Sequence, residues 1–393
     1  MPVNYQQVLQ QIREMGQQAT QIEEQAQKLR AEAWRLFDQY ACELDTLQQL
    51  VELAAAENPH LRCALPCQEC LNAGFAALPI DSSYTLLAAD GSQINPDRHA
   101  SVEFGAINVG AIRVHPGQGR PPEEVVRSQM LFYHQLFTSN GGFLTDDVVA
   151  LMRDIAERRE LISLARQENS NGSDLIVTLT DGTLEPFREA KGQLPELEKL
   201  FETYLEVLRE LAGLQVATAG YVDKPRSHLV INLLELIVLQ KEGRLKQAGK
   251  DHPFLLIDDA YLFERILEPG QRSAVMAIHS PAVQSFTGEL SLHFFYLNVG
   301  RPNHPYLSRV EIPQWVAASP RLLNLLHAAL LSQSRMMGVR AYPYVLHRAH
   351  EIAVVGYSER EQLENMIIAE LRRQGVPVGE RSYKQVAKDA SYS

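Results

Sequence analysis

The feature that most constrains the fold is a β-like apolar segment that runs directly into Asp, Gly and a hydroxyl residue, and it occurs twice. It is found in TLLAADGSQ at residues 85–93 and in LIVTLTDGTLEP at residues 175–186. Asp-Gly after such a segment is compatible with a hairpin turn. It is also compatible with two strands whose ends carry Asp90 and Asp181 to one place, because functional side chains in sheet proteins concentrate at strand ends. The residues alone leave both interpretations open.

Segments with strand and helix patterns alternate around these two. Residues 145–167 are typical of a helix, because Thr145 or Asp146 can cap it and acidic residues crowd its first turn. The other patterned segments are strand-like 101–116, helical 192–213, helical 228–241, a short strand at 254–259 (FLLIDD) and a mainly helical region from 320. This alternation, with antiparallel meanders mixed in, indicates an α/β domain over about residues 80–393.

The N-terminal region has a different character. Residues 4–57 are rich in Gln, Glu, Ala and Leu and contain almost no Gly or Pro, which predicts one long helix or a helical hairpin. Val8, Ile12 and Met15 would form part of an apolar stripe that packs on its own domain or on a partner subunit. The predicted division of the chain is a helical segment at 1–60, a cysteine-containing connector at 61–84 and the main domain at 85–393.

Charge and hydropathy narrow the class of protein only a little. The net charge of −11 over 393 residues argues against a generally basic nucleic-acid coat, although a local basic lining remains compatible with it. No apolar run approaches the roughly 18 to 20 residues that a bilayer crossing needs. The polar N-terminus lacks the apolar core of a signal peptide. We therefore expect a cytoplasmic protein without a membrane partner.

The cysteines form a loose cluster. Cys63, Cys67 and Cys70 lie in CALPCQEC, and Cys42 lies upstream in the helical segment. Together they could ligate zinc or an iron–sulfur centre, but the spacing matches no strong zinc pattern. The expectation is that they are reduced structural or surface thiols.

The two Asp-Gly segments predict a possible cation site. If both strands are adjacent, Asp90 and Asp181 converge, and a hard divalent cation would offset their repulsion. The helix between them offers Glu157 and Glu160, which are three residues apart and so lie close to one helical face. A charged run of this kind is also typical of a solvated face.

Further candidates lie in two other segments. Tyr342 precedes a helix that carries His347 and His350, whose spacing suits one helical face but lacks the acid of a zinc-protease helix. Lys224 and Arg226 follow a predicted strand and would suit a phosphate-bearing substrate. No Walker loop, GxGxxG, GxSxG or HExxH occurs, which disfavours an ATPase, a dinucleotide enzyme or a serine hydrolase.

Several of these segments, in this order, resemble the NurA-domain nucleases. The segments are LLAADGSQ, LIVTLTDGTLEPF, TAGYVDKPRS, DDAYLFERILEPGQRS, FFYLNVG with SRVEIPQWVA, and AYPYVLHRAHEIAVV. The resemblance covers about residues 85–393. It implies an α/β fold with an RNase H-like mixed sheet flanked by helices, to which this chain adds an N-terminal helical extension.

The resemblance also implies an activity and partners. It implies a manganese-dependent deoxyribonuclease, with Mg²⁺ as a possible substitute, that processes DNA ends in the manner of 5′–3′ resection during double-strand break repair. The implied partners are DNA, a second copy in a homodimer, and a HerA-like hexameric translocase. The alternatives are a catalytically inactive binding or regulatory subunit of a helicase, and a different metal-dependent nuclease such as an RNase.

The family's catalytic residues transfer onto particular positions. Asp90 and Asp181 match its two strand-borne acids, and Tyr342 and His350 match its C-terminal pair, so that His347 is a neighbour. The helical Glu is taken as Glu160, with Glu157 as the alternative. Asp90, Asp181, Glu160 and His350 are then the implied metal ligands, and the imidazole favours Mn²⁺ over Mg²⁺ because it is the softer donor.

Overall fold

The computed structural model describes residues 3–80, 82–170, 175–186, 195–338 and 341–379. Its α-helices are α1 (Tyr5–Tyr40), α2 (Leu44–Glu57), α3 (Asp146–Ser170), α4 (Pro195–Gly213), α5 (Leu229–Lys241), α6 (Asp259–Ile266), α7 (Gln314–Ala317), α8 (Pro320–Met336), α9 (Tyr344–Ala353) and α10 (Tyr357–Arg373). Its strands are β1 (Cys63–Pro66), β2 (Phe75–Ala76), β3 (Thr85–Ile94), β4 (Gly105–Val114), β5 (Glu123–Leu131), β6 (Ile176–Asp181), β7 (Ala217–Asp223), β8 (Gln271–Arg272), β9 (Met276–His279), β10 (Leu292–Asn298) and β11 (Leu307–Pro313).

The chain divides into two compact units. The first takes its described residues from Met1–Ala77, Val222–Thr287 and Ser291–Glu311. The second takes its described residues from Leu78–Tyr221, Gly288–Leu290 and Ile312–Ser393. The sequence-based division at residues 60 and 84 stays a prediction.

The second unit contains a mixed sheet in the order β5-β4-β3-β6-β7. β3, β4 and β5 form an antiparallel meander, whereas β6 pairs in parallel with both β3 and β7. α3 and α4 connect the parallel strands, as crossover connections between parallel strands require. This order and polarity, with helices on the sheet, is an RNase H-like arrangement and confirms the predicted fold class.

The registers decide between the two interpretations of the Asp-Gly segments. Ala89 on β3 lies opposite Thr180 on β6 in a parallel pair, so Asp90 and Asp181 occupy equivalent positions on adjacent strands. Gly91 continues β3 and pairs with Val109, so the first Asp-Gly is not a hairpin turn. The apolar residues before each acid are buried because the strands have neighbours on both sides and helices on the sheet. The strand interpretation is therefore correct.

The first unit combines helices with a second set of strands. β1, β9 and β10 pair in that order, and β2 pairs with β8. The C-terminal half of α1 packs on α5 and α6, where Phe37 meets Phe263 at 5.7 Å between ring centroids. Asp259 is fully buried and accepts hydrogen bonds from Val230 N, Ile231 N and the Tyr296 hydroxyl. It thereby satisfies amides at the first turn of α5 that the helix itself leaves unpaired.

The predicted strand at 254–259 is wrong. Leu255 N donates to His252 O and Ile257 N donates to Phe254 O, so the segment forms turns. Phe254 and Ile257 are buried, whereas Leu255 is 70% exposed. A short apolar run in a sequence does not distinguish a strand from other buried structure. In this segment the backbone bonds to residues three positions earlier, which makes it a turn.

The expectation of reduced thiols is wrong for one cysteine pair. Cys42, in the turn between α1 and α2, forms a disulfide with Cys70 in the connector. Leu71 N donates to Ala41 O beside it, which holds the connector against the turn. Cys63 and Cys67 are free, and burial raises the pKa of the Cys63 thiol to about 12.

Within the described residues, no helix combines the length and apolar character that a bilayer crossing requires.

Candidate active site

The two strand-borne acids open onto a cavity of about 430 Å³ in the second unit. Its acidic residues and its histidine come mainly from β3, α3, β6 and α9, and two arginines of α3 also line it. The lining residues are Asp90, Gly91, Arg153, Asp154, Glu157, Arg158, Asp181, Gly182, Thr183, Glu185, Pro186 and His350. Asp90, Asp181 and His350 are thus brought together as the sequence predicted them to be.

Asp90 is held from two sides. Gly91 N donates to its Oδ1 at 2.8 Å, and His350 Nδ1 lies 2.7 Å from its Oδ2. A β-carbon on Gly91 would lie 2.5 Å from Arg153 Cγ and 2.7 Å from Glu157 Oε1. The glycine after the acid therefore lets α3 approach the strand, which explains this part of the motif.

The hydroxyl of the same motif anchors the helix that carries His350. Ser92 Oγ donates to Ala353 O and accepts from Val355 N at 3.1 Å. Asn108 Nδ2 donates to the same carbonyl at 2.8 Å. Ser92 thus ties the end of α9 to β3, and the Asp-Gly-Ser segment positions both Asp90 and its histidine partner.

Glu157 is the helical acid that faces the cavity. Its side chain is almost fully buried, with Oε1 3.4 Å from Arg153 Nε and Oε2 3.7 Å from Arg158 Nη1. Burial and the negative charges of Asp154 and Asp90 outweigh the two guanidinium groups and raise the pKa of Glu157 to about 8. Burial is the largest of these causes, so the shift reflects chiefly the removal of this carboxyl from water.

Glu160 lies elsewhere on α3. Its Oε2 is 3.4 Å from Nε of Arg127 on β5, and it is not among the residues that line the cavity. The structure therefore places Glu157, and not Glu160, beside Asp90 and Asp181.

Tyr342 lies next to Asp181. Its ring packs edge-on against Tyr221, with 5.5 Å between ring centroids, and its hydroxyl is hydrogen-bonded to Asp181. Burial, together with the charges of Asp181 and Asp90, raises the pKa of the Tyr342 phenol. The phenol stays protonated and is a hydrogen-bond donor at this site.

The remaining predicted residues lie apart from the cavity lining or in the other unit. His347 Nε2 is 3.5 Å from Glu351 Oε1 on the surface of α9, and His347 is not a lining residue. Lys224 belongs to the first unit, where its Nζ lies 5.6 Å from the centroid of the Tyr306 ring. Arg226 follows in the same loop. Their contact with phosphate stays a prediction.

Four charged residues of the cavity lining were not predicted from the sequence, namely Arg153, Asp154, Arg158 and Glu185. Arg153 bridges Asp154, at 2.9 Å, and Glu157, while Arg158 stacks over the Tyr204 ring at 4.7 Å. The signal for Arg153 was present, because residues four apart on a helix share a face. The charge-rich sequence of this helix looked instead like a solvated surface.

The donor set suits a hard divalent cation. Carboxylates of Asp90, Asp181 and Glu157 are oxygen ligands of the kind that Mg²⁺ and Mn²⁺ accept, and His350 adds an imidazole. The cavity lining has five carboxylates, of Asp90, Asp154, Glu157, Asp181 and Glu185, against two guanidinium groups, and a cation would offset this excess of negative charge. In the described part of the chain, however, no group of three or more His, Cys, Asp or Glu is arranged as a ready metal site. The donor atoms are of the kind that a divalent cation binds. In this structure Arg153 pairs with Glu157, and Tyr342 pairs with Asp181.

A mixed sheet of this order that presents carboxylates at adjacent strand ends is the architecture of RNase H-like nucleases. The family model of the NurA domain matches residues 84–355. The match spans well over half of the chain, and the chain belongs to the NurA-domain family of nucleases.

Solved structures that are similar to this chain at low identity include two nucleases. The NurA nuclease from Sulfolobus solfataricus has 12% sequence identity and a TM-score of 0.48, with 86% of this chain and 98% of that chain covered. The catalytic domain of human Endonuclease V has 13% identity and a TM-score of 0.32, with 85% and 99% covered. No curated protein sequence matches the chain.

Proposed function

We propose that this NurA-family nuclease is a divalent-cation-dependent deoxyribonuclease that processes DNA ends. The observation that carries the proposal is the convergence of Asp90, Asp181, Glu157 and His350 on one cavity of the second unit. Family membership supports nuclease chemistry, and the acid cluster is the part of this chain that suits it.

The proposed cation ligands are Asp90, Asp181, Glu157 and His350. Glu157 replaces Glu160 in the proposal because it lines the cavity, whereas Glu160 faces Arg127. The imidazole donor favours Mn²⁺, with Mg²⁺ as a possible substitute. A divalent cation bound there would offset the charge of the scissile phosphodiester and acidify a water molecule.

His350 is suited to handle a proton. Its Nδ1 faces the Asp90 carboxylate at 2.7 Å, so the ring N–H on that side donates to the acid and the opposite nitrogen, Nε2, accepts. A carboxylate that orients a histidine in this way also fixes its tautomer. Nε2 is then available either as a ligand or as an acceptor for a proton from water.

Tyr342 and the α3 arginines are suited to bind the phosphate. The Tyr342 phenol remains a donor because its pKa is raised, and it lies beside Asp181. Arg153 and Arg158 line the same cavity and carry permanent positive charge. We propose that they orient and neutralise the backbone of the bound strand.

Family membership supports the finer parts of the proposal. These are 5′–3′ resection of DNA ends in double-strand break repair, a homodimer, a HerA-like hexameric translocase as partner, and a cytoplasmic location. Lys224 and Arg226 are proposed as further phosphate contacts.

Cleavage assays with matched variants test the proposal. The purified chain is incubated with end-labelled duplex DNA, single-stranded DNA and RNA in Mn²⁺, Mg²⁺ or EDTA. We expect DNA cleavage in Mn²⁺, none in EDTA, and a loss of about 1,000-fold or more in Asp90→Asn and Asp181→Asn, because each removes a ligand that the reaction needs.

Two pairs of neighbouring residues serve as controls. His350→Gln should lose most activity while His347→Gln keeps it, and Glu157→Gln should lose more than Glu160→Gln. Cleavage by Asp90→Asn at the wild-type rate, or no cleavage of any substrate under any cation, would refute the proposal. Cleavage of RNA alone would replace DNA by RNA as the substrate.

A further inference from the structure

The second unit contains another cavity beside the candidate active site. Its volume is about 480 Å³, which is within the range of cavities that bind small molecules. It shares no lining residue with the cavity of the candidate active site. Its polar and aromatic lining residues are Gln93, Asn95, Asp97, Asp146, Tyr357 and Arg360. We call it the second cavity.

The same elements line both cavities one after the other. β3 contributes Gly91 to the candidate active site and Gln93 to the second cavity, which are about 7 Å apart along the strand. α3 contributes Arg153 to the first and Asp146 to the second, about 10 Å apart along the helix. Stacked bases of one strand follow each other at about 3.4 Å. The second cavity therefore lies within about three nucleotides of the acid cluster.

The helix that presents Tyr357 is fixed to the sheet. Leu363 and Ile367 of α10 pack against the buried side chains of Ile94 and Phe104. Tyr357 is the first residue of this helix and is 69% exposed. An exposed aromatic ring on a fixed element is a platform on which a base stacks, and every base has a π face for it.

The polar lining offers more hydrogen-bond acceptors than donors. Gln93 Nε2 donates to Asn95 Oδ1 at 2.8 Å. Gln93 Oε1 is buried and accepts no hydrogen bond from the residues that the structure describes. Asp97 and Asp146 add two carboxylates, and the guanidinium of Arg360 lies 3.8 Å from Asp97. A bound group with N–H donors would satisfy the buried acceptor, which is costly to leave unpaired.

This lining suits a nucleobase better than a phosphate. Two carboxylates against one guanidinium repel an anion. Bases of a single strand, in contrast, are neutral and are recognised by stacking and by hydrogen bonds to their edges. Cytosine and adenine carry an exocyclic amino group that donates to acceptors of this kind, whereas thymine offers a carbonyl oxygen at the same position.

We propose that the second cavity binds the base of a nucleotide close to the scissile phosphodiester, with Tyr357 stacked on that base. The acceptors of the cavity select bases that carry an amino group over thymine. This inference rests on the proposed nuclease function and adds a base preference to it.

Cleavage of end-labelled homopolymers tests the preference. Oligo-dC and oligo-dT are both pyrimidine strands, and oligo-dU lacks the amino group of the one and the methyl group of the other. In single-turnover assays with Mn²⁺, we expect the wild-type chain to cut oligo-dC about 10-fold faster than oligo-dT or oligo-dU, because only cytosine donates an amino group to the acceptors.

A matched pair of glutamines assigns the preference to the cavity. Gln93→Leu should lower the ratio to about 2-fold or less, because it removes the unpaired acceptor. Gln129 lies in the same row of the sheet, since both residues pair with Ile107, but it does not line the second cavity. Gln129→Leu should therefore keep the wild-type ratio. Asp146→Asn, at an exposed position, should also lower the ratio, and it serves if Gln93→Leu does not fold.

A matched pair of tyrosines tests the stacking. Tyr357→Ala should slow the cleavage of all three strands about 10-fold or more, because base stacking does not depend on sequence. Tyr5 is likewise the first residue of its helix and is 67% exposed, so Tyr5→Ala is the control and should leave the rates unchanged. Fluorescence anisotropy of the same strands in EDTA should show the same ratios in the dissociation constants without cleavage.

The outcomes separate this inference from the proposed nuclease function. Equal cleavage and equal binding of oligo-dC and oligo-dT would overturn the base site and leave the nuclease proposal intact. A ratio that both Gln93→Leu and Asp146→Asn leave unchanged, or rates that Tyr357→Ala and Tyr5→Ala change equally, would do the same. No cleavage of any strand would overturn the nuclease proposal and this inference with it.

Discussion

At the scale of single residues, the acid cluster is defined by what each carboxylate contacts. Asp90 is bound by a backbone amide and a histidine, and Asp181 by a tyrosine hydroxyl. Glu157 is the buried member, with guanidinium groups at 3.4 and 3.7 Å. Burial, ahead of the neighbouring charges, raises the pKa of Glu157 to about 8.

The raised pKa of Glu157 predicts a pH dependence of stability. The pKa is about 8 in the folded, cation-free chain against an ordinary value of 4.5, so the folded state holds a proton that the unfolded state releases. The free energy of unfolding should therefore fall as pH rises from about 4.5 through about 8. Melting temperatures in EDTA across this range measure it.

Variants separate Glu157 from the other acids. Glu157→Gln should flatten this part of the melting profile, because an amide does not titrate. Because cation binding requires the deprotonated acid, Mn²⁺ affinity should rise with pH over the same window. An equal slope in wild type and Glu157→Gln would contradict the assignment.

At the scale of elements, the site depends on how closely α9 lies on the sheet. A β-carbon on Gly110 of β4 would lie 2.5 Å from Ala353 N and 2.7 Å from Ala349 O. These are backbone atoms that cannot move aside without moving the helix. Ser92 and Asn108 then fasten the same end of α9 by hydrogen bonds.

Gly110→Ala should displace α9 and with it His350. We expect a loss of about 1–3 kcal/mol in the free energy of unfolding, as for other overpacked contacts. Cleavage should fall further than the loss of folded protein explains, because the histidine moves away from Asp90. Urea unfolding and single-turnover cleavage measure the two effects.

Gly213→Ala is the matched control for this substitution. Gly213 ends α4, and nothing lies within 4 Å of the position of its β-carbon. Stability should be unchanged or slightly higher there, since alanine is the better helix former. If Gly110→Ala behaves like Gly213→Ala, then the close approach of α9 does not constrain the site.

At the scale of the whole molecule, a disulfide adds a covalent link to the non-covalent contacts. The Cys42–Cys70 disulfide closes a loop across a sequence separation of 28 residues and joins the turn after α1 to the connector. Loops of this size give about 3 kcal/mol when crosslinked. Disulfides are rare in a reducing cytoplasm, so this pairing and the predicted localisation disagree, and a thiol measurement addresses both.

Thiol counting tests the pairing directly. The chain is purified without reductant and then denatured. Cys63 and Cys67 should react with a thiol reagent at once, whereas Cys42 and Cys70 should react only after a reductant is added. Reductant should also lower the melting temperature of the wild-type chain but not that of Cys42→Ser. Four reactive thiols before reduction would show that the pair is open.

Local sequence was sufficient for the residues that follow a strand. Asp90 and Asp181 were predictable because an apolar run ending in Asp-Gly-hydroxyl marks a strand end, and the registers place both acids at equivalent positions. The sequence could predict that another part of the chain lies close to Gly91, but it could not predict that this part is α3. That Ser92 fastens α9 was likewise invisible in the sequence, since its partners are more than 250 residues away.

The sequence by itself determined the helices α3, α4 and α5 and the two strands that carry Asp90 and Asp181, and the family resemblance implied the mixed sheet. Only the tertiary structure shows that Glu157 lines the cavity and Glu160 does not, because residues three apart lie close to one helical face and the rotation of α3 against the sheet separates them. It also decided that Cys42 pairs with Cys70 and that residues 253–256 form turns ahead of α6. Each of these depends on contacts between distant segments, whereas strand and helix patterns depend on near neighbours.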